Sequence, residues 1–217
     1  MKKVIVLLIM ALAWSGMNAQ GFGINVGLNN GSLTRKFVFE ETKISQKYSG
    51  KWGLMLGAFY DAELTENAYA RLGLNFSQYG GKYTDKDGYT DIFSLNYLEF
   101  PVLFKYSFEI SDNIYAFGIG GPVLGIGLSG KYTYIEDNTS AENSIIFTNT
   151  YNNNKDEVLQ FKKTNLGFRL GGGFNFNQYE FGLYYTMGLS NITPIKVDEY
   201  SKKTGLFSIV FAYRFMN

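Results

Sequence analysis

The feature that most constrains this chain is a regular alternation of large apolar residues with small or polar ones. The alternation has a period of two and recurs in eight separate runs. Successive side chains of a strand point to opposite faces, so the pattern predicts strands with one apolar and one mixed face. The runs lie at 22–29, 53–60, 70–77, 97–108, 115–128, 165–176, 179–189 and 207–215. They predict an all-β fold, an eight-stranded antiparallel up-and-down β-barrel.

The fifth run changes phase. Its apolar residues occupy odd positions up to Ile119 and even positions from Leu124 onward, with Gly120-Gly121-Pro122 between them. A β-bulge inserts one residue into a strand and tolerates Gly and Pro. We therefore expect a bulge at 120–122 that keeps both halves of the run on one face.

Charge is confined to one side of the alternation. The apolar faces of the eight runs carry none, as expected of a surface in lipid, where Arg or Lys costs about 2–4 kcal/mol at the bilayer midplane. An eight-stranded barrel has an interior that side chains can fill. The mixed face is therefore predicted to line the interior, with six charged residues forming a structural ion-pair network: Arg71, Glu99, Lys105, Arg169, Glu180 and Arg214.

The connections between the runs differ in length in a regular way. Long ones span 30–50, 80–93, 129–163 and 190–203, whereas short ones centre on 65–67, 111–113 and 177–178. Outer-membrane barrels have short periplasmic turns and long outward loops. Aromatic residues near the short turns are predicted to form an interfacial girdle: Phe22, Tyr60, Tyr106, Phe108, Tyr115, Phe176, Tyr179 and Phe215.

The N-terminus has the pattern of an export signal. Lys2 and Lys3 precede an apolar run at 4–14, and small and polar residues lead to Ala19. The apolar run is far shorter than the roughly 20 residues of a membrane-spanning helix. We expect a cleaved signal peptide at 1–19, a barrel domain at 20–217, and export to the cell outer membrane.

The segment Tyr97–Tyr106, YLEFPVLFKY, resembles the fourth-strand motif of the PorT-like outer-membrane β-barrel family of Bacteroidota, which are small barrels of the OmpX/OmpA kind. The Gly-rich first run, the Gly-Pro step at 120–122 and the aromatic last run are similar to that family too. The resemblance covers essentially the whole mature chain. It implies architecture rather than activity.

The chain has neither Cys nor His, which removes thiol nucleophiles, the commonest general base and the usual zinc ligands. No catalytic residue, cofactor or metal is predicted, and the formal charge of +1 gives no support to a nucleic-acid partner. We expect a non-enzymatic structural, adhesive or secretion-associated protein. Its expected partners are outer-membrane lipid, lipopolysaccharide, the barrel-assembly machinery and a surface or secretion-system protein. The alternatives are a soluble periplasmic lipocalin-like barrel that binds an apolar ligand, and a narrow porin.

Overall fold

The computed structural model describes residues 21–39, 42–86, 88–136, 139–151, 159–194 and 200–215. The predicted signal peptide lies outside these residues. Among those described, no helix is long and apolar enough to cross a membrane. The strands are β1 (Phe22–Phe39), β2 (Thr42–Thr65), β3 (Ala68–Thr84), β4 (Thr90–Ser111), β5 (Ile114–Glu136), β6 (Thr139–Phe147), β7 (Gln160–Phe161), β8 (Thr164–Phe176), β9 (Tyr179–Gly188) and β10 (Ser201–Arg214).

Eight of these strands pair in a closed ring. The order around the ring is β1-β2-β3-β4-β5-β8-β9-β10, and β10 pairs with β1 again. Every pairing within the ring is antiparallel. The pairings confirm the all-β class and a ring of eight strands. The described residues contain ten strands, two more than the eight predicted. The additional strands β6 and β7 lie outside the ring.

Short turns connect consecutive strands at one end of the ring, which we call the turn end. They lie between β2 and β3, β4 and β5, and β8 and β9, at the predicted positions. Asn113 and Asn177 adopt positive φ values of 62° and 52° in two of these turns. Asn tolerates this left-handed conformation better than most residues, which explains its presence there.

At the opposite, extended end, the prediction of long loops is wrong for two of the four connections. The strands β1 and β2 continue as a hairpin to Phe39 and Thr42, and β3 and β4 continue to Thr84 and Thr90. The third connection contains β6, which pairs with β5, and β7, which is parallel to β6. Of the Asn-rich stretch 148–155, residues 152–155 lie outside the described part of the chain.

The burial of side chains confirms the assigned faces in seven of the eight runs. Ile24, Leu56 and Phe104 are about half exposed on the outside of the ring, whereas Glu99 and Ser208 are fully buried inside. The fifth run is the exception. The register of β5 with β8 is continuous through 120–122, and its register with β4 is the same on both sides of this step, so the expected bulge is absent from this described segment.

Because β5 keeps its phase, its odd positions face inward throughout its first half. Phe117 and Ile119 are buried together with Val123, and Tyr115 borders a cavity at the turn end. Small residues such as Gly118 and Gly120 face outward instead. Tyr115 therefore does not belong to the outward aromatic girdle, contrary to the prediction.

Candidate functional site: the filled interior and the extended-end cavity

Near the turn end, Arg71 makes two bidentate ion pairs that join the interior faces of three strands. Arg71 Nε and Nη2 donate to the two carboxylate oxygens of Asp61 at 2.6 and 2.8 Å. The same guanidinium donates to both oxygens of Glu180 at 2.6 and 2.8 Å. Since β3 and β9 are not neighbours in the ring, the Arg71–Glu180 contact crosses the interior. The Arg71 guanidinium lies over the Phe59 ring, with its central carbon 4.0 Å from the ring centre.

Two further cations complete this turn-end cluster. Lys105, which is fully buried on β4, places its Nζ 2.5 Å from a Glu180 oxygen. Arg214 on β10 donates to Asp61 at 2.9 Å and is partly exposed toward the turn end. A buried charge is tolerated when it is paired and hydrogen-bonded, and all of these side chains meet that condition.

A second cluster lies farther toward the extended end. Glu99 accepts hydrogen bonds from Ser77 at 2.7 Å, from Tyr79, and from Arg169 at 3.0 Å. Arg169 also donates from Nε to Thr186 at 2.8 Å. This pair connects β4 to β8 across the inward face of β5. Like the Arg71–Glu180 contact, it joins strands that are not neighbours in the ring.

A glycine makes room for one of the hydrogen bonds to Glu180. The three residues Glu180, Gly182 and Tyr184 follow one another on the inward face of β9. The Tyr184 ring folds back over Gly182, and its hydroxyl donates to Glu180 at 3.0 Å. A Cβ atom at position 182 would lie only 2.5 Å from the Tyr184 hydroxyl oxygen. Gly182 is therefore required by the close approach of the ring.

Aromatic residues fill the interior beyond the second cluster. Phe147, at the end of β6, packs against Tyr97 with ring centres 5.5 Å apart. Its ring lies so close to Gly127 that a Cβ atom there would meet it at 2.3 Å. Tyr97 belongs to a buried apolar cluster that includes Leu33, Tyr79 and Phe161, and Phe147 packs against this cluster. Between Arg71 and Arg169, a cavity of only about 20 Å³ remains.

The structure brings all six predicted charged residues to the interior, where Arg71, Lys105, Glu180 and Arg214 share one cluster and Glu99 and Arg169 form the other. Sequence reasoning missed Asp61, which is paired with both Arg71 and Arg214. The signal was available, because Asp61 continues the odd-numbered inward face of the second run by one more step. Four cations against three carboxylates leave these two clusters together with one net positive charge.

A separate cavity of about 290 Å³ opens at the extended end. Its charged wall residues are Arg35 on β1, Asp91 on β4 and Lys202 on β10. Asp91 accepts a hydrogen bond from the Tyr132 hydroxyl at 2.5 Å. Phe93 and further tyrosines form the apolar walls: Tyr48, Tyr132 and Tyr200.

Lys202 differs from the interior cations in its surroundings. Its side chain is 7% exposed, and its Nζ lies 4.6 Å from the centre of the Phe161 ring and 5.6 Å from that of Phe93. Among the described residues, no carboxylate pairs with Lys202 or Arg35. Burial and the charge of Arg35 lower the pKa of Lys202 to about 8.

The extended-end cavity offers hydrogen bonding and charge, but the described residues contain no group of three or more acidic, His or Cys side chains that could hold a metal ion.

A family model described as outer membrane protein beta-barrel domain matches residues 17–194. The chain belongs to this family. Membership implies the outer membrane as the location of the protein.

Solved structures of the same general kind are similar to this chain only at a distance. The attachment invasion locus protein Ail of Yersinia pestis is 16% identical, with 90% of this chain and 99% of that chain covered and a TM-score of 0.38. OprG of Pseudomonas aeruginosa is 13% identical, with 92% of this chain and 98% of that chain covered and a TM-score of 0.42. Neisserial surface protein A has 10% identity, 90% and 97% coverage, and a TM-score of 0.42. No curated protein matches the sequence.

Proposed function

We propose that this member of the family is a transmembrane β-barrel with a closed interior that does not conduct solutes. The observation that carries the proposal is the filled interior, in which Glu99 and Lys105 are fully buried and ion pairs join strands that are not neighbours in the ring. The aromatic layer at Tyr97 and Phe147 adds a second obstruction. A solute could pass only if both the ion pairs and the aromatic layer were disrupted.

The outer surface supports a position in lipid. Around the turn-end half of the ring, the outward side chains are large and apolar, as at Val26, Leu56 and Leu183. Beyond this apolar band, the outward positions of the extended half carry exposed lysines instead: Lys36, Lys47, Lys82 and Lys203. The change from apolar to charged residues is that expected where a strand leaves the hydrocarbon core.

The small volume between Arg71 and Arg169 weighs against a narrow porin, and the charged walls of the 290 Å³ cavity at the extended end weigh against a lipocalin-like site for an apolar ligand. A narrow porin needs a continuous aqueous path, and a lipocalin-like protein needs an apolar interior cavity. The 20 Å³ between Arg71 and Arg169 is of the order needed for one water molecule. We therefore assign the work of the protein to its extended end, as a non-enzymatic structural, adhesive or secretion-associated component. The interactions with lipopolysaccharide, the assembly machinery and a surface or secretion-system protein, and the PorT-like affiliation, belong to this proposal.

Conductance in planar lipid bilayers tests the closed interior. We expect no large, stable conductance from protein whose heat-modifiable gel mobility shows that it is folded, in bilayers where a general porin conducts. Stable open channels from the folded protein would overturn the closed-interior proposal.

The lipid contact has its own test at Phe211, which is about half exposed on the outside of β10. Phe211→Arg should impair insertion, because Arg in the hydrocarbon costs about 2–4 kcal/mol near the midplane. Phe211→Leu is the matched control and should insert normally. Equal insertion of the two variants would contradict a lipid-facing position.

A further inference from the structure

The extended-end cavity contains positive charge that no carboxylate among the described residues neutralises. Its walls carry Arg35 and Lys202 against the single carboxylate of Asp91, so the net charge is +1. Lys202 is more than nine-tenths buried and borders the cavity. A buried ammonium is unfavourable unless an acceptor or an anion compensates it. This imbalance points to a ligand with one negative charge.

The Arg35 guanidinium has an unused donor in the same place. Its Nε is buried and has no hydrogen-bond partner among the described residues. The group lies 5.2 Å from the centre of the Tyr200 ring. A guanidinium presents a planar set of donors that matches the two oxygens of a carboxylate. The cavity therefore offers a flat anion-binding group next to a second cation.

The remaining walls fit a ring with polar substituents. Phe93, Tyr48 and Tyr132 supply aromatic faces, whereas the Asn143 amide and the Asp91 carboxylate supply hydrogen-bonding groups. Aromatic faces combined with a few polar groups are typical of small-molecule sites. A volume of about 290 Å³ is large for a bare inorganic anion and suits one six-membered ring with its substituents.

We propose that the extended-end cavity binds an acidic sugar of the uronic-acid class, with its carboxylate between Arg35 and Lys202 and its ring against the aromatic walls. The inference rests on the proposed function in placing this end of the ring outside the cell. The sugar can come from two sources, which are a free saccharide in the surroundings and an acidic sugar of lipopolysaccharide in the same leaflet.

Calorimetric titration of the folded protein in detergent micelles tests the proposal, since both ends of the ring are accessible there. We expect D-glucuronate to bind about ten-fold or more tightly than D-glucose, because its carboxylate makes charge-assisted hydrogen bonds that glucose cannot make. Equal binding of the two sugars, or no binding of glucuronate, would overturn it. A negative result leaves the bilayer conductance test untouched, so the two proposals fail independently.

Adjacent lysines on β10 provide a matched pair of variants. Lys202→Met should weaken glucuronate binding by about ten-fold. Lys203 is exposed on the outside of the same strand, so Lys203→Met should leave the affinity within about two-fold. Retained affinity in folded Lys202→Met would overturn the proposal. If that variant does not fold, Lys202→Gln is measured against the same criterion.

A second titration identifies the source of the sugar. The protein is placed in nanodiscs with and without lipopolysaccharide that carries acidic sugars. Weaker glucuronate binding in the presence of lipopolysaccharide supports the site and assigns its ligand to the membrane. Unchanged binding supports the site and assigns its ligand to a free saccharide.

Discussion

The two halves of the ring follow opposite rules. In the turn-end half, apolar side chains such as Leu56 face outward and charged ones such as Glu180 face inward. In the extended half, Leu33 and Leu95 are buried inside, whereas Lys47 is exposed outside. The same strands thus pass from an inside-out arrangement to the arrangement of a water-soluble protein. The difference locates the edge of the proposed membrane band along each strand.

The halves also differ in how they treat buried charge. In the turn-end half, each of the three buried carboxylates, Asp61, Glu99 and Glu180, has a cationic partner. Glu180 by itself accepts hydrogen bonds from Arg71, Lys105 and Tyr184. In the extended half, Lys202 has aromatic rings around it and no described carboxylate within ion-pair distance. Saturated charges stabilise a structure, whereas an unsaturated one is available to a ligand. The predictions below test this contrast.

Removing the charge of Glu180 should have the largest effect. In Glu180→Gln, Arg71 and Lys105 remain buried with a missing counter-charge, which costs about 3–5 kcal/mol of unfolding free energy. Glu142→Gln removes an exposed carboxylate paired only with Lys131, and should change stability by about 0.5 kcal/mol or less. Urea unfolding in lipid vesicles, followed by Trp52 fluorescence, measures both. Similar losses in the two variants would show that the interior network is not structural.

The position of Tyr184 gives a second, smaller test of the filled interior. Gly182→Ala introduces a Cβ atom that collides with the Tyr184 ring and displaces its hydroxyl from Glu180. We expect a loss of about 1–3 kcal/mol, the usual range for overpacking. Gly118→Ala is the control, because a Cβ atom there has no neighbour within 4 Å. The same unfolding experiment applies, and equal stability of both variants would argue against a tightly packed interior.

The sequence predicted the turn-end half well because, in the proposed arrangement, its outward face contacts lipid and its inward face lines a narrow interior. Lipid excludes charge and a narrow interior favours small or paired groups, so apolarity marks the outward face of seven runs. Phe117 and Ile119 were misplaced because the interior also accepts apolar residues, while the outside of β5 is formed by small ones. Apolarity alone cannot distinguish these faces.

The extended half was predicted as loops because its alternation is reversed and interrupted. There Leu33 and Tyr48 face inward and pair with each other across β1 and β2. A register shift separates them from the β1–β2 pairs nearer the turn end. The cavity could not be predicted, because Arg35, Asp91 and Lys202 come from distant parts of the chain. Only the closure of the ring brings them to one place.

A lysine substitution should distinguish the two halves by the sign of its effect. Lys202→Met removes a buried ammonium that no described carboxylate compensates, so stability should be unchanged or increase by about 1 kcal/mol. Lys105→Met instead deprives Glu180 of a partner and should destabilise by about 1–3 kcal/mol. Urea midpoints of the two variants without sugar provide the comparison. A comparable loss in Lys202→Met would mean that this cation is also structural.

The pH dependence of glucuronate binding gives the finest test of the unpaired cation. Because the pKa of Lys202 is lowered to about 8, its charge is present at pH 7 and lost as the pH rises toward 9. The other groups facing it are Arg35, Asp91, Tyr48, Tyr132 and Tyr200, and burial raises the pKa of each of these three tyrosines. Affinity should therefore fall several-fold between pH 7 and 9, and the fall should be centred near the pKa of the unliganded protein, about 8, because the carboxylate favours the ammonium form. Folded Lys202→Met should bind weakly and equally at both pH values, and an equal decline in that variant would assign the titration to another group.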